Sequence, residues 1–351
     1  MISFYPGPSK VDAGVPRYMQ EAFESGILSA NHRSPEFVAM STSLVQVLRD
    51  KLEIPDSYKV LFVSSATECW EIISQSLVNK SSFHIYNGAF GQKWHNYATQ
   101  LQPQAESLTF GLNQYLDVSS LSIEDSVELV AITHNETSNG TRVSQSVIAS
   151  IKERYPSKLI AIDATSSLAG EALDFQLADV WFASVQKCLG LPAGMAVLIC
   201  SPQALGKAGH VGERSHYNSL LYLLEMIDKY QTTYTPNVLN MYLLMRVMQE
   251  RSHIQQVESL LKTRHKMLVQ FIEKLNNISL LVNKPEVRSL TVLPFTSSKK
   301  SIDRIRQEAK SAGIILGNGY GRWKETSLRL ANFPAIDEED LSKLTHFFNS
   351  L

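Results

Sequence analysis

Short apolar runs alternate with amphipathic stretches through most of the chain. Val60 to Val63, Leu129 to Ile132, Leu159 to Ile162, Val180 to Ala183 and Met195 to Cys200 predict buried strands separated by helices or loops, the pattern of a largely parallel sheet. From Ser215 onward the texture changes. Leu220 to Tyr230, Asn237 to Gln249, and the pattern through Leu260, Leu261, Met267, Phe271 and Leu275 predict long helices. A smaller α/β unit follows, with strands expected at Ser289 to Pro294, Gly313 to Leu316 and Ser327 to Ala331, a helix near Ile302 to Ala312 and a last helix from Asp337. Asp337 and Asp340, ahead of Leu341, Leu344 and Phe348, supply an N-cap and a negative first turn for that last helix. No internal repeat or low-complexity segment interrupts this order.

Composition narrows the classes. With 351 residues, 44% hydrophobic and 19% charged, the chain can bury a large core and is expected to form one main domain plus a smaller one. A formal charge of -1 and a pI near 6.8 provide no global field for nucleic acid or an anionic membrane. No apolar run approaches the roughly 20 residues of a membrane helix. The start, Met1 to Pro8, lacks a basic region followed by an apolar core, so a cytoplasmic location is expected. Cys69, Cys188 and Cys200 are odd in number and lack metal-type spacing, which argues against a disulfide framework or a zinc site.

Chemistry enters where the strands end. Asp163 closes one apolar run, and Lys187, in Ser184-Val185-Gln186-Lys187, follows another about two dozen residues on. An ordered Asp and Lys of this kind point to pyridoxal phosphate. The amine forms a Schiff base with the aldehyde, and the carboxylate keeps the pyridine nitrogen protonated so that the ring accepts electrons. His134 to Thr141 also follows a strand, and the carboxyl ends of such strands are where open α/β sheets bind ligands. After Val63, Ser65 and Glu68 have the form of a capping box, with Trp70, Ile73 and Leu77 at helical spacing beyond them. The free N–H groups of such a helix start, with nearby hydroxyls, can hold a phosphate. Phe90, between Gly88 and Gly91, can bring its ring face against a flat cofactor. Ser166 and Gln186 are polar neighbours of the two anchors.

The chain resembles the class V aminotransferases of the fold-type-I pyridoxal phosphate enzymes, and within them the phosphoserine aminotransferases. The resemblance is carried by Phe4 to Pro8, His32 to Phe37, Ser65-Ala66-Thr67, Gly88 to Gly91, Asn135-Glu136-Thr137, Asp163 to Ser167, Gln186-Lys187 and Tyr234-Thr235-Pro236, in that order. It implies a mainly parallel seven-stranded sheet flanked by helices, with a smaller C-terminal α/β domain. The expected division is residues 1–14 packing near the active site and the small domain, 15–245 as the large cofactor-binding domain, and 246–351 as the small domain. It also implies Lys187 as the Schiff-base lysine, Asp163 on the pyridine nitrogen, Phe90 stacked on the ring and Thr137 near its hydroxyl. Ser65, Ala66, Thr67 and Gln186 would contact the phosphate, and Thr235 would reach the phosphate of a neighbouring subunit in a homodimer with shared sites.

The reaction expected from the resemblance is ping-pong transfer of an amino group from an amino acid to a 2-oxo acid, with phosphoserine and 2-oxoglutarate as the pair used in serine biosynthesis. Arg329 matches the position that binds the α-carboxylate, where the planar guanidinium suits a bidentate contact. His32 and Arg33 match the pair that meets the distal acidic group, and Arg322 is placed to assist. Two departures stand out. A Gly-His-Arg run common in the family reads Gly319-Tyr320-Gly321-Arg322, and the stacking aromatic, often tryptophan, is Phe90. An alanine– or serine–glyoxylate aminotransferase is the alternative. A cysteine desulfurase lacks support because no cysteine follows Cys200 and Gln186, rather than histidine, precedes the lysine. An inert cofactor-binding relative fits poorly with an intact Asp163 and Lys187.

Overall fold

The computed structural model describes residues 1–102 and 104–351. A seven-stranded sheet runs in the order Lys59–Val63, Ala196–Cys200, Val180–Ser184, Leu159–Asp163, Val127–Thr133, Ser81–Tyr86, Glu106–Thr109. Ala196–Cys200 is antiparallel to both neighbours, and every other adjacent pair is parallel. The central strands are buried along their whole length, which is why they appear in the sequence as continuous apolar runs. Ser81–Tyr86 was not apparent from the pattern. All six of its residues are buried, but Ser81, Ser82 and His84 interrupt any apolar run. Ser82 Oγ and His84 Nε2 pair at 3.1 Å and Ser81 Oγ donates to the Gln104 carbonyl at 2.6 Å, while His84 Nδ1 is buried without a partner among the described residues.

A second sheet has five strands in the order Ile2–Phe4, Ile314–Asn318, Ser327–Ala331, Val292–Thr296, Ser279–Leu280. Its first strand comes from the N-terminus and pairs parallel to Ile314–Asn318. The strand expected at Ser289 to Pro294 begins later, at Val292, because the Ser289 hydroxyl accepts the N–H groups of Thr291 and Val292 and holds a turn there. The sheet packs on the helices Ile254–Glu273, Lys299–Ser311 and Glu338–Asn349 through a core that includes Phe4, Leu268, Phe295, Ile305 and Phe348. Asp337 and Asp340 form a reciprocal capping box at the start of the last helix, and Lys10 pairs with both carboxylates. No helix among the described residues is long and apolar enough to cross a membrane.

Candidate active site

The functional cluster forms where the strands of the large sheet end. Leu159–Asp163 delivers Asp163, and its parallel neighbour Val180–Ser184 leads through Val185 and Gln186 to Lys187. The N-terminal segment clamps this lysine loop. Ser9 N–H donates to the Gln186 carbonyl at 3.0 Å, and Asp12 N–H donates to that of Gly190 at 2.8 Å. The Arg251 guanidinium holds the Cys188 carbonyl at 2.7 Å from the other side. Gly7 approaches so closely that an added Cβ would lie 2.9 Å from Lys187 Cε, and its φ of +149° disfavours any side chain.

Lys187 and Asp163 line one cavity of about 360 Å³ together with Phe90, Thr137, Gln186, Ala66, Thr67 and Arg329. Lys187 Nζ donates to Thr137 Oγ1 at 2.7 Å and to Ser166 Oγ at 3.0 Å, and it lies 5.2 Å from the centre of the Phe90 ring. Burial lowers its pKa to about 8, although the negative charges of Asp163 and Glu136 pull it upward. Burial raises Asp163, an effect opposed by the Thr165 backbone N–H, donated to Oδ1 at 2.9 Å, and by the charge of Lys187. Arg329 donates from Nε to the Asn318 carbonyl at 2.7 Å and from Nη1 to the Thr137 carbonyl at 2.8 Å. Tyr5 stands beside the guanidinium, but among the described residues Nη2 donates to no carbonyl or carboxylate, so that arm of the fork can turn to a ligand.

Phe90 is fixed by a buried carboxylate. Glu136 accepts the backbone N–H groups of Phe90 and Gly91 on Oε2, both at 3.1 Å, and that of Ser138 on Oε1 at 2.9 Å. Ser138 Oγ takes the Ala89 N–H at 3.0 Å. Gly88 provides no side chain to cap the helix Ala89–Leu101, and a Cβ there would strike Glu136 Cγ at 2.3 Å. The cap therefore arrives from the loop that carries Thr137, tying the ring platform to the hydroxyl beside Lys187.

The helix Ala66–Leu77 starts at the cavity with Ser65 as its N-cap, whose hydroxyl accepts the Glu68 N–H at 3.1 Å. The reciprocal half of the expected capping box is displaced by one residue. The Glu68 carboxylate takes the N–H and hydroxyl of Ser64 at 2.7 and 2.5 Å and the Tyr217 hydroxyl at 2.8 Å, so Ser65 itself is not the acceptor's partner. Ser65 and Ser166 are not among the cavity-lining residues, although Ser166 touches Lys187.

Four further sequence-derived residues lie elsewhere in this chain. Thr235 is exposed, Arg33 donates to Gln231 Oε1 at 2.9 Å, His32 is partly exposed beside it, and Arg322 stacks on Trp323 at 4.4 Å. None of the four lines the cavity. Conversely, Tyr5, Trp70, Lys93, Tyr97, Thr133, Asn135, Thr165, Ser184 and Tyr320 line it without having been singled out for the site. Thr165 carried a signal, standing two residues past Asp163; Tyr5 lies in the Phe4-to-Pro8 stretch expected near the site and Tyr320 in the run that departs from the family, but neither was assigned a place in the cavity.

The residues present suit the cofactor read from the sequence. Trp70 Nε1, Thr133 Oγ1, Asn135 Oδ1 and Thr165 Oγ1 are buried without a close hydrogen-bond partner among the described residues, although Trp70 and Thr165 stand beside the Asp163 carboxylate, and all four residues line the same cavity. Unpaired buried donors and acceptors are costly unless a ligand completes them. An amine, a carboxylate and an aromatic face in one enclosed space match an aldehyde-bearing heteroaromatic phosphate. All three cysteines are buried, and burial raises the Cys188 and Cys200 thiols, the latter to about 12, leaving no mobile thiolate for sulfur transfer.

Residues 3–321 match the family model described as aminotransferase class-V. The chain therefore belongs to the class-V aminotransferase family, and it is a transaminase that works with pyridoxal phosphate. It is 27% identical to a phosphoserine aminotransferase of Rhodococcus opacus (strain B4) over 97% of this chain and 92% of that one. It is 26% identical to the phosphoserine aminotransferase of Corynebacterium glutamicum (strain R), covering 97% and 94%. A crystal structure of a phosphoserine aminotransferase from Cytophaga hutchinsonii superposes with a TM-score of 0.95 at 30% identity, covering 99% of this chain and 98% of that one. The fold is also that of an aspartate aminotransferase from Thermus thermophilus, with a TM-score of 0.86 at 18% identity and coverage of 100% and 98%.

Proposed function

We propose that this protein transfers the amino group of phosphoserine to 2-oxoglutarate, and that of glutamate back in the reverse reaction, in serine biosynthesis. The observation that carries the reading is the shared cavity of Lys187 and Asp163, with Arg329 on its wall. The relatives named phosphoserine aminotransferase, matched along nearly their full length, support the choice of donor.

Pyridoxal phosphate supplies an aldehyde that condenses with amines and a protonated ring that takes up the electron pair left when a carbon–hydrogen bond breaks. Asp163 would hold the ring nitrogen, Phe90 the ring face and Thr137 the ring hydroxyl. The Ser65-Ala66-Thr67 helix start and Gln186 would hold the phosphate. Ala66 N–H is already taken by Ser184 Oγ at 3.2 Å and Glu68 N–H by Ser65 Oγ, which leaves the Thr67 N–H and hydroxyl for an anion. Lys187 Nζ removes the proton from the substrate's α-carbon. Its lowered pKa, near 8, keeps part of the free amine neutral near pH 7. Arg329, held rigidly by two carbonyls, orients the α-carboxylate so that this hydrogen faces the amine.

His32, Arg33 and Thr235 lie outside the cavity of their own chain, which fits sites completed across a homodimer. In that assembly Thr235 of the partner subunit reaches the cofactor phosphate, and the partner subunit's His32 and Arg33 approach the substrate's distal group, with Arg322 assisting. The reading is tested by mixing the cofactor-loaded enzyme with phosphoserine, alanine, serine or glutamate and recording which converts the cofactor to its pyridoxamine form. Rapid conversion by phosphoserine and glutamate is expected. Conversion by alanine or serine with none by phosphoserine would assign a glyoxylate-type donor class instead.

A further inference from the structure

Three cations line the cavity: Lys187, Arg329 and Lys93. The first two are engaged, Lys187 with Thr137 and Ser166, and Arg329 with two backbone carbonyls. Lys93 stands one helical turn after Phe90 on the helix Ala89–Leu101, so both side chains share a face. Its Nζ donates to the Tyr320 hydroxyl at 3.0 Å and lies 5.5 Å from the Phe90 ring centre and 5.7 Å from that of Tyr320. Among the described residues no carboxylate pairs with it, and an ammonium has three N–H donors, of which the phenol uses one.

The Tyr320 ring links this amine to Arg329, whose Cζ lies 5.5 Å from the centre of the same ring. A short amino acid bound through its α-carboxylate at Arg329 can therefore present a second anion to Lys93. A lysine on a four-carbon stem acts as a mobile point charge and tolerates acceptors at different reach, unlike the fixed fork of arginine. That suits a site which must take two donors of unequal shape in the two half-reactions.

We infer that Lys93 is a cavity-lining cation that recognises the distal anionic group of the amino acid, phosphate or carboxylate, beside the residues already assigned to that group, and so selects acidic donors over neutral ones. The inference rests on the proposed reading that both substrates carry such a group, and its test does not depend on turnover. Butyrate, glutarate and 3-phosphonopropionate share one carboxylate and differ at the far end, where they carry nothing ionic, a carboxylate or a phosphonate. Their dissociation constants for the cofactor-loaded enzyme can be measured by titration calorimetry at fixed ionic strength. The wild type is expected to bind both glutarate and 3-phosphonopropionate more tightly than butyrate. Lys93→Met should shrink that advantage roughly tenfold, the size of one hydrogen bond to a charged group, and Lys93→Arg should retain most of it. Loss against glutarate alone, or against the phosphonate alone, would overturn the claim that Lys93 serves both acids. An advantage unchanged in Lys93→Met, or absent in the wild type, would overturn the inference. A wild type that shows the Lys93-dependent advantage but leaves phosphoserine unconverted would instead remove phosphoserine as the donor and keep Lys93 in its role.

Discussion

The buried amine of Lys187 makes a quantitative prediction about cofactor loading. Only a neutral amine attacks an aldehyde, and burial brings this one down to about 8 from an ordinary value of 10.5. At pH 7 about a tenth of such an amine is neutral, against roughly one part in three thousand for an unperturbed lysine. The sign follows directly: protonation blocks attack below the folded pKa, and raising the pH relieves the block. Apo-enzyme mixed with pyridoxal, which lacks the separately titrating phosphate, should form its absorbing adduct at a rate that climbs about tenfold per pH unit up to about 8 and then levels. Replacing Asp163 or Glu136 by its amide removes a negative charge that holds the amine up, so the plateau should begin at lower pH. The assay is stopped-flow absorbance across pH 6 to pH 10 in buffers of constant ionic strength. A rate still rising tenfold per unit at pH 10 would show a solvated lysine and refute the reasoning.

Three other outcomes follow from the site. Glu136→Ala strips the acceptor from three backbone N–H groups, at a cost of roughly 3–5 kcal/mol, so Tm should fall by about 5–10 °C; a fall of under 2 °C by calorimetry would mean that water replaces the carboxylate. Asp163→Asn keeps the shape and removes the charge. It should bind the cofactor yet lose about 100-fold or more in turnover, and full activity would remove Asp163 from the electron-accepting role. Arg329→Gln should lower kcat/KM for every amino donor by roughly 10–100-fold, because the α-carboxylate is common to all, and a loss confined to acidic donors would move Arg329 to the distal group.

Much of the cluster was legible because strand ends mark themselves. Asp163 and Lys187 each follow a continuous apolar run, and a parallel sheet brings such ends together irrespective of the intervening chain. The start of the helix Ala66–Leu77 was legible through Ser65 and Glu68, yet the partner of the Glu68 carboxylate was not. Ser64 and Tyr217 compete for it, and Tyr217 arrives from 149 residues away. Distance along the chain also hid the walls of the cavity. Tyr5 and Tyr320 line one cavity, and the strand Ile2–Phe4 that precedes the first pairs with Ile314–Asn318 that precedes the second, a pairing with no local signature. Glu136 was read within a motif but not as the cap of a helix that begins at Ala89, since a cap supplied by a different segment leaves no pattern near the helix itself. Ser81–Tyr86 escaped because buried serines and a buried histidine look, in sequence, like surface residues.

The central claim is that one amine carries the cofactor. Borohydride reduction of the loaded enzyme, followed by proteolysis and mass spectrometry of the peptides, tests it most directly. The expected result is a phosphopyridoxyl group on Lys187 at near-complete occupancy, absent from Lys187→Ala treated in the same way. A modification spread over surface lysines, or fixed on Lys93 with Lys187 untouched, would contradict the account.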